Sequence, residues 1–177
     1  MVQYVRLSSN IQPDSVVDGP GIRCVIWAQG CLHKCVGCHN PQTHAMDGGF
    51  NKLIDDLCSE IKQIGQNITL SGGDPFFQPE AFEQIAHFAK DIGLNVWAYT
   101  GFTWEYICNN PKLCKLLNSI DVLVDGKFDI NKKSSECKFR GSTNQRLIDV
   151  QKSLVNKSVV LWKDEFAAFE INRSQYF

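Results

Sequence analysis

The chain has 177 residues, 44% hydrophobic and 21% charged, which suits one domain of ordinary size with a real core and is too apolar for a disordered chain. Its 18 Lys and Arg against 19 Asp and Glu leave a formal net charge of -1, which excludes the basic field of a nucleic-acid or anionic-membrane binder. The start, MVQYVRLSSN, lacks the pattern of a signal peptide, and no run approaches the ~18 apolar residues of a membrane span, so a cytoplasmic protein is expected.

In chain order, Ile22 to Ala28 is apolar and β-branched, a predicted strand leading into a cysteine-rich loop. From Asn51, the positions Ile54, Leu57, Cys58 and Ile61 recur at helical spacing. Asn67 to Leu70 reads as a short strand stopped by Gly72, Gly73 and Pro75. Phe82, Ile85, Ala86, Ala89 and Ile92 mark a helix with Pro79 in its first turn and Gly93 past its end. Asn95 to Tyr99 is a strand, Thr103 to Asn118 a helix broken near Pro111, and Ile120 to Val124 a further strand. Asn131 to Lys138 reads as a surface loop, Asn144 to Leu154 as a helix, and Ser158 to Trp162 as a late strand. This alternation predicts an α/β fold of five or six mostly parallel strands, with the strand-to-helix loops on the carboxyl edge of the sheet. Residues 1–177 read as one domain, with the motifs between about 17 and 154. The tail from about Lys163, including Phe166 to Phe177, receives no role.

Eight cysteines in a chain without a secretion signal are expected to stay reduced. Cys24 and Cys58 lie in apolar patterns and read as small buried residues, while Cys108, Cys114 and Cys137 have no ligand spacing. Cys31, Cys35 and Cys38 form a C-x3-C-x2-C loop, Gly30-Cys31-Leu32-His33-Lys34-Cys35-Val36-Gly37-Cys38-His39-Asn40-Pro41. Thiolates suit iron–sulfur clusters, and three of them leave one iron of a four-iron cluster open to a chelating ligand. Spacing alone also admits a zinc-stabilised interaction domain, with His33, His39 or His44 as fourth ligand. A disulfide and a ferredoxin-type electron carrier are further alternatives, the second short of a fourth cysteine.

Other motifs close predicted strands. Ser71-Gly72-Gly73-Asp74-Pro75 offers close backbone approach and a carboxylate that accepts from an ammonium. Val124-Asp125-Gly126-Lys127 places a carboxylate and an ammonium on one side of an extended chain. Asp18-Gly19-Pro20-Gly21-x-Arg23 precedes the first predicted strand, and Arg140 to Gln145 joins an anion binder to a helix start at Ser142 to Asn144. Taken alone, Ser71 to Pro75 and Val124 to Lys127 read better as ordinary turns, and Asp18 to Arg23 is a weak signal. Trp97 and Tyr99 share one strand face and read as packing residues, and His87 as a helix-surface or packing residue.

Together these motifs resemble the radical S-adenosylmethionine superfamily. Asp18 to Arg23, Gly37 to Pro41, Ser71 to Pro75, Leu123 to Phe128 and Arg140 to Gln145 are similar to the activating enzymes of glycyl-radical enzymes, in the branch that serves the anaerobic ribonucleoside-triphosphate reductase. Gly37 in place of an aromatic residue, and Gly-Gly-Asp in place of Gly-Gly-Glu, fit that branch. The resemblance implies a partial, open (β/α) barrel in which Cys31, Cys35 and Cys38 hold a [4Fe-4S] cluster. S-adenosyl-L-methionine would chelate the open iron, be cleaved by one electron, and yield a 5′-deoxyadenosyl radical that takes hydrogen from a glycine of the reductase. It implies Gly73, helped by Asp74, for the methionine ammonium, Gly72 within the same cofactor site, and the backbone of Gly37, Cys38 and His39 for the adenosine. Asp125 and Lys127 would meet the ligand carboxylate or the incoming glycine loop. Arg23 and Arg140 would bind the partner's backbone or brace the fold. The implied partners are the reductase catalytic subunit and an electron donor such as a flavodoxin or ferredoxin, with no nucleic acid and no membrane. An activase of pyruvate formate-lyase is the nearest alternative. No cysteine lies between Cys38 and Ser71 other than Cys58, so no inserted second cluster is expected.

Overall fold

A computed structural model describes residues 2–164. The stretch of the tail from 165 onward, including Phe166 to Phe177, lies outside the described residues. The strands are β1 (Tyr4–Leu7), β2 (Gln12–Ser15), β3 (Arg23–Ala28), β4 (Phe50–Leu53), β5 (Asn67–Gly72), β6 (Val96–Tyr99), β7 (Val122–Asp125) and β8 (Arg146–Asp149). The helices are α1 (Ile54–Ile64), α2 (Pro79–Asp91), α3 (Trp104–Cys108), α4 (Pro111–Leu117) and α5 (Val150–Asn156).

Among the described residues, these eight strands join one mixed sheet in the order β4-β1-β3-β5-β6-β7-β8, with β2 also pairing with β3. The centre, β3-β5-β6-β7, is parallel as the alternating pattern requires. Both flanks are antiparallel, through β1, β2 and β4 on one side and β8 on the other. The expected five or six mostly parallel strands therefore describe only the middle of the sheet. Flanking strands of four residues carry too little apolar pattern to be read locally, and they form because a neighbour offers unpaired backbone groups.

Helix ends follow their local chemistry. Asn110 and Thr103 cap α4 and α3 through their side chains, and Pro111 takes the first turn of α4, where its missing N–H costs nothing. The expected helix over Asn144 to Leu154 is corrected: Arg146 to Asp149 pairs with β7, and α5 starts only at Val150, capped by Asp149. No helix begins at Ser142 to Asn144 either, since Ser142 bridges Lys133 in an isolated antiparallel contact. The expected strand over Ser158 to Trp162 is reduced to a bridge of Leu161 with Ile148, beside the bonds Asp149 N to Val160 O and Trp162 N to Leu147 O.

Strand alternation divides the interior. Cys24, Ile26, Ala28, Ile68, Leu70, Val96, Ala98 and Leu123 face the helices and pack with Leu57, Cys58, Ile61, Phe82 and Ile85. The opposite face carries Trp97, Val122 and Val124, packed against Tyr99, Phe139, Leu147 and Trp162. Cys24 and Cys58 are buried, as expected of small core residues, and His87 is exposed on α2.

Arg23 is 1% exposed on that second face. Its guanidinium donates to Thr69 Oγ1 at 2.8 Å, Ile68 O at 2.5 Å, and Asn95 Oδ1 and O at 3.1 Å each, and it lies 5.5 Å from the Trp97 ring centroid. Burial pushes its pKa down to about 10, against the opposing pull of Tyr99 and Asp121. Of its two expected roles, bracing the fold is the one this geometry serves, because three strands are tied by one cation. Arg23→Met should therefore lower unfolding free energy by roughly 3 kcal/mol, since several buried acceptors lose their donor. Urea unfolding of the metal-free protein measures it, and a loss below about 1 kcal/mol would show that these bonds contribute little.

Candidate functional site

The parallel strands β3, β5, β6 and β7 end at Ala28, Gly72, Tyr99 and Asp125, and the loops that follow meet on one edge. Ala28 pairs with Gly72, and Gly73 N donates to Ala28 O at 2.7 Å, so the cysteine loop and the Gly-Gly-Asp-Pro turn leave the sheet at one level. Between the loops lies a cavity of about 300 Å³. Cys31, Cys35 and Cys38 line it together with His39, Gly72 and Gly73. The other five cysteines do not.

Cys31 is 8% exposed, and burial, reinforced by Asp74, Cys35 and Cys38, pushes its thiol up to about 11 against the His33 amide. Burial raises the Cys35 thiol too, against the opposing Phe128 amide. Among the loop sulfurs, Cys38 Sγ accepts from Asn40 N at 3.4 Å. Burial thus favours the neutral thiol at Cys31 and Cys35 in the absence of a metal, and thiolate there requires the charge of a bound cation. The donor set fits an iron–sulfur cluster, with no fourth cysteine at the cavity to close it. Among the described residues, no three His, Cys, Asp or Glu side chains are arranged to hold a single metal ion, and His33 is engaged elsewhere.

The remaining expected site residues divide by position. Gly73 packs so closely that an added Cβ would lie 2.5 Å from Gly30 O, which only glycine permits. Gly37 belongs to the loop but is not among the lining residues, and its backbone rests on Ile130. Asp74 stands behind the wall, 1% exposed: Phe76 N donates to Oδ1, and Gly101 N, Thr100 Oγ1 and His33 Nε2 all reach Oδ2, each at 2.9 Å. Asp125 is equally buried and accepts from Trp104 N at 2.7 Å and from both Nε and Nη2 of Arg146. Arg146 also grips Glu105 through two 3.0 Å bonds; Asp125 foremost, and then Glu105, raise the guanidinium pKa, and Arg146 lowers that of the Glu105 carboxylate. Asp125 and Lys127 line a separate groove of about 790 Å³ that meets the cavity at Gly101, Gly126 and Phe128.

Arg140 Nη1 donates to Gln145 O at 2.7 Å, while Gln145 Oε1 accepts from Gly141 N and Ser142 N and its Nε2 donates to Gly126 O. The Arg140–Gln145 motif is thus a self-bonded loop that presents Gly141 and Gln145 to the cavity. Tyr99 donates to Phe139 O at 2.8 Å, and burial raises its pKa beyond the ordinary tyrosine range. Sequence reasoning missed Thr100, Gly101, Phe128 and Gln145 as lining residues and Arg146 as the partner of Asp125. Thr100-Gly101 follows a strand at the same edge, and position at a strand end was the signal that could have found it.

A family model for a 4Fe-4S single cluster domain matches residues 17–148. The anaerobic ribonucleoside-triphosphate reductase-activating protein of Enterobacteria phage T4 is 36% identical over 146 residues, 77% of this chain and 90% of that protein. The protein of the same name from Escherichia coli K12 is 35% identical over 144 residues, 75% and 92% of the two chains. That from Vibrio cholerae is 35% identical over 146 residues, 75% and 91%. Among solved structures, QueE from Escherichia coli aligns over 56% of this chain and 53% of its own with a TM-score of 0.49 and 16% identity. Among the described residues, no helix is long and apolar enough to cross a membrane.

The three-thiol site makes a sharp division among the cysteines. After anaerobic reconstitution, Cys31→Ala, Cys35→Ala and Cys38→Ala should each lose nearly all bound iron and sulfide, while Cys108→Ala and Cys137→Ala should match the wild type. Iron and acid-labile sulfide analysis measures it, and full iron in any loop variant would remove that cysteine from the ligand set.

Proposed function

The chain belongs to the anaerobic ribonucleoside-triphosphate reductase-activating proteins, and from that premise we propose that it activates an anaerobic ribonucleotide reductase as a radical S-adenosylmethionine enzyme. The observation that carries the reading is the set of three loop sulfurs lining one cavity with Gly72 and Gly73, with no fourth cysteine there. Cys31, Cys35 and Cys38 would hold the [4Fe-4S] cluster. Bound together, cluster and S-adenosylmethionine would supply one-electron cleavage of the sulfonium and a carbon radical that takes hydrogen from a glycine of the reductase.

The chain's own residues would bind, orient and exclude water. Gly72 and Gly73 give a wall without side chains, which suits close approach by the methionine portion of the ligand. Ser71 and Gly73 border the same space and offer polar backbone to its ammonium. His39 and the backbone around Gly37 and Cys38 suit the adenosine portion. The buried carboxylate of Asp74 supports this wall from behind. Asp125, held by Arg146, fixes the floor of the adjoining groove, and Lys127 stands at its open side. A protein glycine must reach the reacting centre, and a groove that opens into the cavity suits a polypeptide loop. The reading takes the whole chain as one domain and its sheet as an open (β/α) barrel, with a flavodoxin or ferredoxin as electron donor.

The test mixes the reconstituted protein anaerobically with S-adenosylmethionine, a reductant and either the reductase catalytic subunit or pyruvate formate-lyase. The EPR doublet of a glycyl radical should grow on the reductase and not on the lyase. A radical on the lyase alone would assign a different partner, and methionine release without any glycyl radical would reject the activase reading.

A further inference from the structure

The cysteine loop is held at its middle by a residue that is not a ligand. His33, the central residue of the spacer between Cys31 and Cys35, has a side chain only 7% exposed. Its Nε2 lies 2.9 Å from Asp74 Oδ2, and its ring packs between Phe77 and Phe102, with centroids 5.4 and 4.5 Å away. Phe76 N and Gly101 N can only donate, which makes both Asp74 oxygens acceptors and assigns the proton to Nε2. The ring lies so close to Gly101 that an added Cβ there would sit 2.7 Å from both Cγ and Nε2 of His33.

Two further facts say what this bond resists. The next residue, Lys34, adopts φ +51, a left-handed conformation that a residue with a Cβ adopts only when its surroundings impose it. Asp74 is meanwhile tied to the loop's base, its N donating to Gly30 O at 3.0 Å, and to the end of β6 through Thr100 and Gly101. One carboxylate thus joins the cysteine loop, the glycine wall and the neighbouring strand end.

We propose that His33 is a positioning residue: its hydrogen bond to Asp74 locks the cysteine loop onto the ends of β5 and β6 and so sets the cysteine sulfurs against the Gly72–Gly73 wall. The inference rests on the reading that cluster and S-adenosylmethionine share this cavity. On this assignment Asp74 serves as the anchor of the loop, and the ammonium of the ligand is left to the backbone of the glycine wall.

The test uses the full chain, reconstituted anaerobically, as wild type, His33→Phe, His33→Gln and His33→Asn. Phe keeps an aromatic ring and removes the donor, Gln keeps a donor of similar reach, and Asn falls a methylene short. Two readouts are followed: the half-time of iron loss to a chelator, and the S-adenosylmethionine concentration giving half the change in the EPR spectrum of the reduced cluster. His33→Phe should lose iron faster and need about tenfold more ligand, as expected for one lost hydrogen bond to a buried carboxylate, with His33→Gln within about threefold of wild type. If the Phe variant does not fold, the same contrast is expected between Asn and Gln. A Phe variant that is only less heat-stable, with both readouts unchanged, would overturn the proposal, as would a Gln variant as defective as Phe. A wild type whose spectrum ignores S-adenosylmethionine would reject the functional reading instead, and the chelator half-times would then decide whether His33 braces the loop.

Discussion

The site depends on the parallel pairing of β3 with β5, which runs in unbroken register from Arg23 opposite Asn67 to Ala28 opposite Gly72. A parallel ladder brings two strands out of the sheet at one edge, so whatever follows each strand in sequence must meet in space. Here the cysteine loop follows one and Gly73-Asp74 the other. A slip of one residue would turn Cys24, Ile26 and Ala28 from the helix layer to the opposite face, and the core opposes that slip. The alignment of the cysteine loop with the glycine wall is therefore fixed by hydrophobic burial some distance from either.

Polar groups complete what register begins. Arg23 ties β3 to β5 and to Asn95, the residue before β6, near the amino ends of the parallel strands, and Asp74 ties their carboxyl ends. Asp125 has a comparable role at the next strand but one from β5, joining the end of β7 to Trp104 at the start of α3 and to Arg146 of β8. Buried carboxylates require nearly all of their hydrogen bonds to be met, which makes such hubs rigid once formed. Two of the acidic residues that look like ligand groups in the sequence are in this sense members of the frame.

Much of this was legible in the chain. A β-branched run into a C-x3-C-x2-C loop, and a short strand into Gly-Gly-Asp-Pro, announce two strand ends and their loops, because local pattern and tertiary position agree there. The antiparallel flanks were not legible. Gln12 to Ser15 contains Pro13 and Asp14, which disfavour strands, and it pairs only because β3 presents an open edge. Leu147, Val150 and Leu154 have helical spacing, yet Leu147 pairs with Val124, and the true boundary was signalled by Asp149, a good N-cap before a helix that starts at Val150. At the site, the three cysteines and Gly72 and Gly73 were found as residue types with an obvious chemistry. Thr100 was not, and His33 entered only as a candidate zinc ligand and Gln145 only as the end of a motif, because their roles come from partners 26, 41 and 19 residues away in sequence.

The central claim is that Cys31, Cys35 and Cys38 hold a four-iron cluster with one iron left for S-adenosylmethionine. Mössbauer spectroscopy of protein reconstituted with isotopically enriched iron tests it most directly. Adding S-adenosylmethionine should alter the signal of roughly a quarter of the iron and leave the rest in place, as a single open site requires. A spectrum unchanged by the ligand, or a protein that takes up zinc and no iron–sulfur cluster, would contradict it.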